Sequence, residues 1–543
     1  MDMKKRILLF ITVAIFAILM MCIGISATET VNENGIICSD TNEYGTVNII
    51  EGYDYSSKLL LDSRMVLDNG DGTYSTYPSA YALDYNKDGK KRGERFQYFD
   101  PSILNDETGF TYSHASVIRL EIPEGITIIH HDDRSNINLN TCDSMIEVTF
   151  PSTLTTYTKG DLLNGCDALL RADLSKSVKI TSIPSSTFGN SKLLTTVILP
   201  SSVVTLNGSA FYGCTALTGL DISGVNTIGS KCFQNCKALT EITLSNEIKS
   251  LPQDCFHSCS ALTRVNGGGN LETVGNYAFN NCSLLAYFPF NEGIKSIGSY
   301  SFQGCALTEF VPPQSLVSIG GRAFGGNKIA NALAFGPNLT KIDSQAFYQC
   351  SQIPSVSFCE GLLTLGKEAF GFCSGLTGEI NMPSTVTSIS TYTFRGCSQI
   401  TKVIFPENSQ LTGDFTGNFL SCTALTSFYF PKGVGSLGYD VFSGCTSLKE
   451  IDFSDSGLTA ITSGNNFKGC SSLESIYFPN TLLTIADSNF GGCSKLSVIS
   501  FGDSLTSLGA GNLTLTALKK VYIPSTLTSI VAHILGYTNA NDS

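Results

Sequence analysis

The pattern F-x-x-C-x-x-L-x-x-I-x-(I/F)-P recurs every 22 to 25 residues from about residue 110 to near the C-terminus, and no other property of the chain restricts its fold as strongly. Clear copies are FYGCTALTGLDI at Phe211, FYQCSQIPSVSF at Phe347, FRGCSQITKVIFP at Phe394, FSGCTSLKEIDF at Phe442 and FKGCSSLESIYFP at Phe467. A unit this short cannot bury its apolar face alone, so neighbours must stack and share one core. The copies number about 17. Chain length would suggest about three or four globular domains, but that prior does not hold for a core growing along one axis.

Each column of the repeat has a physical reading. The end of L-x-x-I-x-F alternates, as a half-buried strand does. The proline that often follows (Pro151, Pro200, Pro383, Pro406, Pro431, Pro479, Pro524) ends that strand by removing a ladder donor. A second short apolar pattern, VTSI at 386–389 and IKSI at 294–297, is expected to face the same interior from the opposite wall, and G-x-x-A-F-x-x-C closes the coil. The expected class is mostly β: a solenoid of about 17 coils with parallel β ladders and a core of stacked Ile, Leu and Phe.

Cys232, Cys236, Cys255 and Cys259 lie in two close pairs, and four thiolates are what a structural zinc site takes. The repeat reads them differently. Cys236 and Cys259 belong to a column with Cys142, Cys166, Cys214, Cys282, Cys305, Cys350, Cys373, Cys397, Cys422, Cys445, Cys470 and Cys493, whereas Cys232 and Cys255 fall where other copies have Ala210, Ala278, Ala323, Ala346 and Ala369. Columns running in parallel along a stack do not converge on a point, so no metal is expected. Side chains at one position of stacked coils also point the same way, a poor match to disulfide geometry. Ser191 and Asn327, and Leu515 near the end, fill the column elsewhere. Its occupants are therefore expected to be buried and hydrogen-bonded to backbone, with the thiols free, although export usually favours disulfides. Cys38 has no obvious partner.

The repeated IGSKCFQNCKALTEITL, IGSYSFQGC, IGGRAFGGN and LGKEAFGFC resemble the BspA-like leucine-rich repeats, a family of bacterial and protist surface proteins, over about residues 111–535. The resemblance implies a solenoid displayed at or outside the cell surface, and for several members adhesion to host matrix proteins or other cells. It implies no ligand, because the matching residues are core residues, and fold is inherited more securely than function.

The remaining segments are expected to serve export and capping. MDMKKR, an apolar run over residues 7–25 and the small residues SAT match a secretory signal peptide over 1–27. Left uncleaved, the run is long enough to span a bilayer. Cys22 is disfavoured as a lipid site by the Met before it. Residues 28–110 lack the repeat and are expected to cap the first coil, 111–535 form the solenoid and 536–543 a tail carrying no sorting motif. DYNKDG (Asp84, Asn86, Asp88, Gly89) opens like a calcium loop, but Arg95 stands where the twelfth-position acid belongs and Glu94 is one place short, so a turn is expected. His130 to Asp133 (HHDD) are expected in a solvated loop.

A net charge of −12 with no Lys/Arg cluster beyond the N-terminus argues against nucleic acid. No nucleophile elbow, paired-carboxylate cleft, phosphate loop or cofactor fingerprint is present, so neither catalysis nor a cofactor is expected. The functional signal is a stripe of residues between the two core positions of each strand, among them Glu121, Asp173, Ile198, Val311, Leu333, Ile404, Tyr429, Asp452, Tyr477, Ser500 and Tyr522. Tyr429, Asp452, Tyr477 and Tyr522 are the expected ligand-binding residues of a secreted or surface-displayed adhesion protein, its partner a protein or glycan of a host or neighbouring cell. A structural spacer and a glycan-binding accessory protein are the alternatives. Membrane contact is expected only through an uncleaved signal segment.

Protein purified without chelator is expected to carry no stoichiometric zinc by metal analysis. About one zinc per chain, lost on Cys236→Ser, would sink the two-column reading.

Overall fold

The computed structural model describes residues 145–157, 160–514 and 516–530, with 119–122, 127, 128–129 and 534 and the short segments 30–31, 37–38, 66–68, 74–76 and 98–99. The signal segment with Cys22, the DYNKDG loop, the HHDD stretch, Cys142, Leu515 and the tail lie outside the described residues. Within the expected cap, Thr30–Val31 pairs antiparallel with Ile37–Cys38, and Val66–Asp68 with Tyr74–Thr76.

Two compact units divide the chain, residues 1–242 and 243–543. In the first, Arg119–Glu121, Glu147–Thr149, Arg171–Asp173 and Thr196–Ile198 pair in parallel as one ladder. A second wall is built by Tyr98–Phe99, Ile128–Ile129 and Thr156–Tyr157, and by Ser182–Ile183, Thr205–Leu206 and Thr227–Ile228. The second unit repeats the plan. Its largest first-wall sheet joins Thr377–Asn381, Gln399–Ile404, Ser427–Tyr429, Glu450–Asp452, Ser475–Tyr477 and Val498–Ser500. Its second wall contains seven strands from Ser250–Leu251 to Ser388–Ile389 and five from Gly413–Phe415 to Ser507–Leu508. Among the described residues there is no helix, and the turns number about 16 against the 17 copies expected.

Strand alternation turns one residue of each short strand inward, as with Val148 and Ala172 in the first unit and Phe428, Ile451 and Ile476 in the second, all buried. The Phe of each repeat fills the interior at the closing turn. In the first unit Phe188, Phe211 and Phe233 stack with centroids 5.2 and 5.4 Å apart. In the second the column runs from Phe256 to Phe490; Phe370 stacks between Phe347 (5.2 Å) and Phe394 (5.8 Å) and takes the edge of Phe358 at 5.7 Å.

The cysteine column is a ladder of free thiols. Eleven of its members donate to the carbonyl of the Phe one coil back, as with Cys214 Sγ to Phe188 O at 3.0 Å and Cys236 Sγ to Phe211 O at 3.1 Å in the first unit, Cys397 Sγ to Phe370 O and Cys493 Sγ to Phe467 O at 3.1 Å in the second. The substitutes make the same bond, Ser191 Oγ to Leu163 O at 2.7 Å and Asn327 Nδ2 to Phe302 O at 2.8 Å. All sixteen cysteines among those whose side chains are described are free. Burial pushes the Cys350, Cys422 and Cys493 thiols up to about 12, which keeps them protonated donors and poor nucleophiles. Cys232 and Cys255 are fully buried in the small-residue column.

Two features of the turn were not anticipated. The described coils hold a residue in the left-handed region just before the ladder position, mostly glycine (Gly213, φ 72°; Gly396, φ 71°) or Asn and Ser (Asn235, φ 64°; Ser421, φ 61°), with Gln349 (φ 61°) and Phe372 (φ 60°) in two of them. Glycine and Asn recur there because a side chain otherwise costs about 1–2 kcal/mol in that region. Towards the C-terminal coils the small-residue column changes to a buried amide ladder. Asn489 N–H donates to Asn512 Oδ1 (2.9 Å), Asn466 Nδ2 to Asn489 Oδ1 (2.9 Å), and the outer amides are met by Gly509 and Ala486 carbonyls.

Phe370→Ala is expected to destabilise the protein by about 3–5 kcal/mol in denaturant titration, the range for emptying a buried aromatic site; a loss below about 1 kcal/mol would mean the column is not core. Native protein at pH 8 should leave the fifteen buried thiols unmodified by a thiol reagent, with half-buried Cys359 reacting first among the described cysteines, and guanidinium should release them all. The same burial sets a pH limit. A thiol with a folded pKa near 12 against 9.0 as its ordinary value stabilises the fold fully below pH 9, and that contribution is lost as pH rises towards 12, because the unfolded chain gives up the proton first. Stability flat across pH 9–11 would contradict the buried ladder.

Candidate functional site

Residues of the six-stranded sheet that point away from the core form two outward rows. One contains Glu379, Lys402, Ser427, Glu450, Ser475 and Val498; in the other, Tyr429, Asp452, Tyr477 and Ser500 stand directly opposite one another on consecutive strands. Strand spacing puts Tyr429 and Tyr477 about 10 Å apart across Asp452. The inward neighbours Phe428, Ile451 and Ile476 are buried, so packing fixes the row from behind. Tyr429 is 61% exposed, Asp452 exposed and Tyr477 half-buried. Lys402 Nζ lies 5.8 Å from the Tyr429 ring centroid, within cation–π range. With Glu379, Glu450 and Asp452 against one Lys, the face is acidic.

Asp452 also serves its own turn. Its Oδ1 accepts the Ser454 N–H at 2.8 Å, as Asp173 does from Ser175 and Asp221 from Ser223, both at 2.9 Å, in the first unit. At Asp221 the Ser223 N–H, with the Ser223 hydroxyl, holds the carboxyl below the usual carboxylate range. The D-x-S spelling thus marks the turn that follows the first wall, with a strand ending at Asp173 and Asp452 and none at Asp221, and is in part a structural device.

Other expected positions are placed differently. Tyr522 is 74% exposed but lies outside any strand, with Lys520 Nζ 4.6 Å from its ring, so it does not extend the Tyr429–Asp452–Tyr477 row by ladder pairing. Leu333 is a correction: it is 1% exposed and pairs with Val356, leaving Ala334 opposite Ser357 on the outer face. The cause is spacing. In the Asn327 coil Leu333 comes four residues after the first buried apolar residue, Ile329, where other coils have three, as from Leu448 to Ile451, so counting from the first core residue lands on the inward side chain. A pair not anticipated is Arg264 and Tyr287, directly opposite in a parallel bridge, the guanidinium 4.3 Å from the ring centroid. Both lie two residues before the stripe positions Asn266 and Pro289, and alternation alone would have found them.

Among the described residues no group of three or more His, Cys, Asp or Glu is arranged to hold a metal, and no helix is long and apolar enough to cross a membrane.

The model of the BspA type leucine rich repeat region (6 copies) matches at residues 108–224, 181–306, 216–331, 295–415 and 415–541. A search of curated protein sequences gives no significant match. Among solved structures, a leucine-rich repeat protein from Bacteroides ovatus aligns over 70% of this chain and 91% of its own at 21% identity and a TM-score of 0.52, a likeness of fold. A leucine rich cell surface protein from Faecalibacterium prausnitzii covers 70% of this chain and 87% of its own at 21% identity and a TM-score of 0.31. The pneumococcal vaccine antigen PcpA covers 66% and 79% at 15% identity and a TM-score of 0.35. With the family model spanning the Phe and Cys columns that build both units, the chain belongs to the BspA type leucine-rich repeat family.

Proposed function

We propose that this protein is a secreted or cell-surface interaction protein that binds a macromolecular partner through the open strand face of its second unit, with Tyr429 and Tyr477 as principal contacts. The observation that carries the reading is the in-register row Tyr429–Asp452–Tyr477 on three consecutive strands. A row anchored from behind by buried Phe428, Ile451 and Ile476 is preorganised, so little ordering entropy is lost on binding. Tyrosine is enriched at binding hot spots, where a rigid ring supplies large contact area. The acidic neighbours Glu379 and Glu450 favour a partner with basic or hydrogen-bond-donating groups at its rim. Export is supported by the charged, apolar and small-residue order of residues 1–27. Repeat proteins of this fold serve as binding scaffolds, and an interaction role without catalysis is consistent with the family.

The test begins with an array of matrix proteins, mucins and glycans. Against the partner it identifies, the double variant Tyr429→Ala, Tyr477→Ala is expected to bind at least tenfold more weakly, from about 2 kcal/mol for each hot-spot contact, with an unchanged melting temperature because exposed substitutions cost little stability. Unchanged affinity in a folded variant would remove this face as the site.

A further inference from the structure

The strand Glu450–Asp452 is flanked on both sides by the same pair of residue types. Ser427 and Tyr429 stand opposite Glu450 and Asp452 on one neighbour, Ser475 and Tyr477 on the other. Residues two apart on a strand share a face, so the two carboxylates lie about 7 Å apart between tyrosines whose strands are about 10 Å apart. Among the described residues neither carboxylate enters an ion pair. Asp452 gives Oδ1 to the Ser454 N–H, and Glu450 has only serines beside it in register.

The first unit shows which group suits these two columns. There, five and seven residues after the ladder cysteine, the same columns hold Glu147 and Arg171, then Thr149 and Asp173. Arg171 sets Nε 3.2 Å from Glu147 Oε1 and a terminal nitrogen 2.9 Å from Asp173 Oδ2, so one guanidinium serves a carboxylate of each column. The Glu450–Asp452 strand carries a carboxylate in both columns and no arginine in register. Lys402 is on the strand beyond Tyr429, with its ammonium 5.8 Å from that ring centroid.

The tyrosines select for the same group. A flat cation needs about 3.5–4 Å to the atoms of a ring on either side, which two rings on strands about 10 Å apart can supply. Guanidinium stacks on aromatic faces and forks hydrogen bonds to carboxylates, whereas an ammonium is a compact, strongly hydrated charge. A neutral sugar would displace water from both carboxylates and return no charge. We propose that this face recognises a protein partner through an arginine, whose guanidinium lies between Tyr429 and Tyr477 and binds Glu450 and Asp452. The proposal rests on the strand-face reading above and narrows its partner to a protein with an exposed arginine.

The probe is acetyl-Gly-Arg-Gly-amide, titrated against the full chain at about 0.15 M salt and followed by ligand-detected NMR. It should bind at least fivefold more tightly than the lysine peptide and at least tenfold more tightly than the citrulline peptide, its neutral isostere. The double variant Glu450→Gln, Asp452→Asn should weaken binding at least tenfold with an unchanged melting temperature. Glu247→Gln, Glu309→Gln removes the same charge from two other exposed positions and should leave binding unchanged. Should the first double variant fail to fold, Asp452→Asn alone keeps an acceptor for Ser454 and should weaken binding at least threefold. The proposal is overturned if the arginine peptide does not bind at millimolar concentration, binds no better than the citrulline peptide, or binds a folded Asp452 variant as it binds the wild type. The partner found on the array separates this site from the reading beneath it. A protein or neutral glycan that needs Tyr429 and Tyr477 but binds Glu450→Gln, Asp452→Asn as tightly overturns the arginine site and leaves the strand face standing, whereas a partner indifferent to the tyrosines overturns both.

Discussion

Besides the strand ladders of its two walls, each coil is fastened to the one before it at a corner, where the carbonyl of a buried Phe accepts a hydrogen bond from the next Cys thiol. The bond spans 3.0 to 3.2 Å in coil after coil. Its place in the fold explains its composition. The corner lies in the interior, where the Phe carbonyl already accepts the N–H three residues on and the thiol from the next coil satisfies its second lone pair, yet it leaves room only for a small side chain beside the stacked rings. Cysteine meets both demands and behaves otherwise as a small hydrophobe. Ser191 and Asn327 show that the donor matters and the sulfur does not. With the thiols protonated by burial and aligned in parallel, the ladder can persist under oxidising conditions without forming disulfides.

That corner in turn dictates the backbone around it. The donor three residues after the Phe follows a left-handed residue, which glycine meets without strain and Asn or Ser at modest cost. These turns expose the column between Phe and Cys on one side of each unit, while the strands present their alternate residues on another. Both surfaces are thus by-products of core geometry, free to vary because the core ignores them. Binding residues are to be sought where the repeat leaves its pattern: Tyr429 and Tyr477 on a strand face that is otherwise mostly short and polar.

The columns of the repeat were legible in the sequence because each answers to one local rule: period-two alternation for the strand, Pro for its end, small residues beside a Phe. Cys232 and Cys255 could be separated from the thiol ladder by column alone, and both are buried as small residues. Leu333 shows where such counting fails. One residue more between the first core side chain and the strand's inward residue inverts the faces that counting assigns, and only inter-strand register reveals it. Tyr522 fits the sequence pattern as well as Tyr477 does, but a pattern does not guarantee that a strand forms in the coil that bears it.

The sequence by itself determined the parallel coil stack, the identity of its core columns and the free state of its thiols, since each follows from interactions repeated at fixed spacing and so written once per coil. What lies between coils was decided by the tertiary structure alone: which outward residues stand opposite one another, that Asp452 bonds its own turn at Ser454, and that Arg264 covers Tyr287. Those depend on side-chain directions in neighbouring coils about 23 residues apart, and no rule local to one repeat contains them.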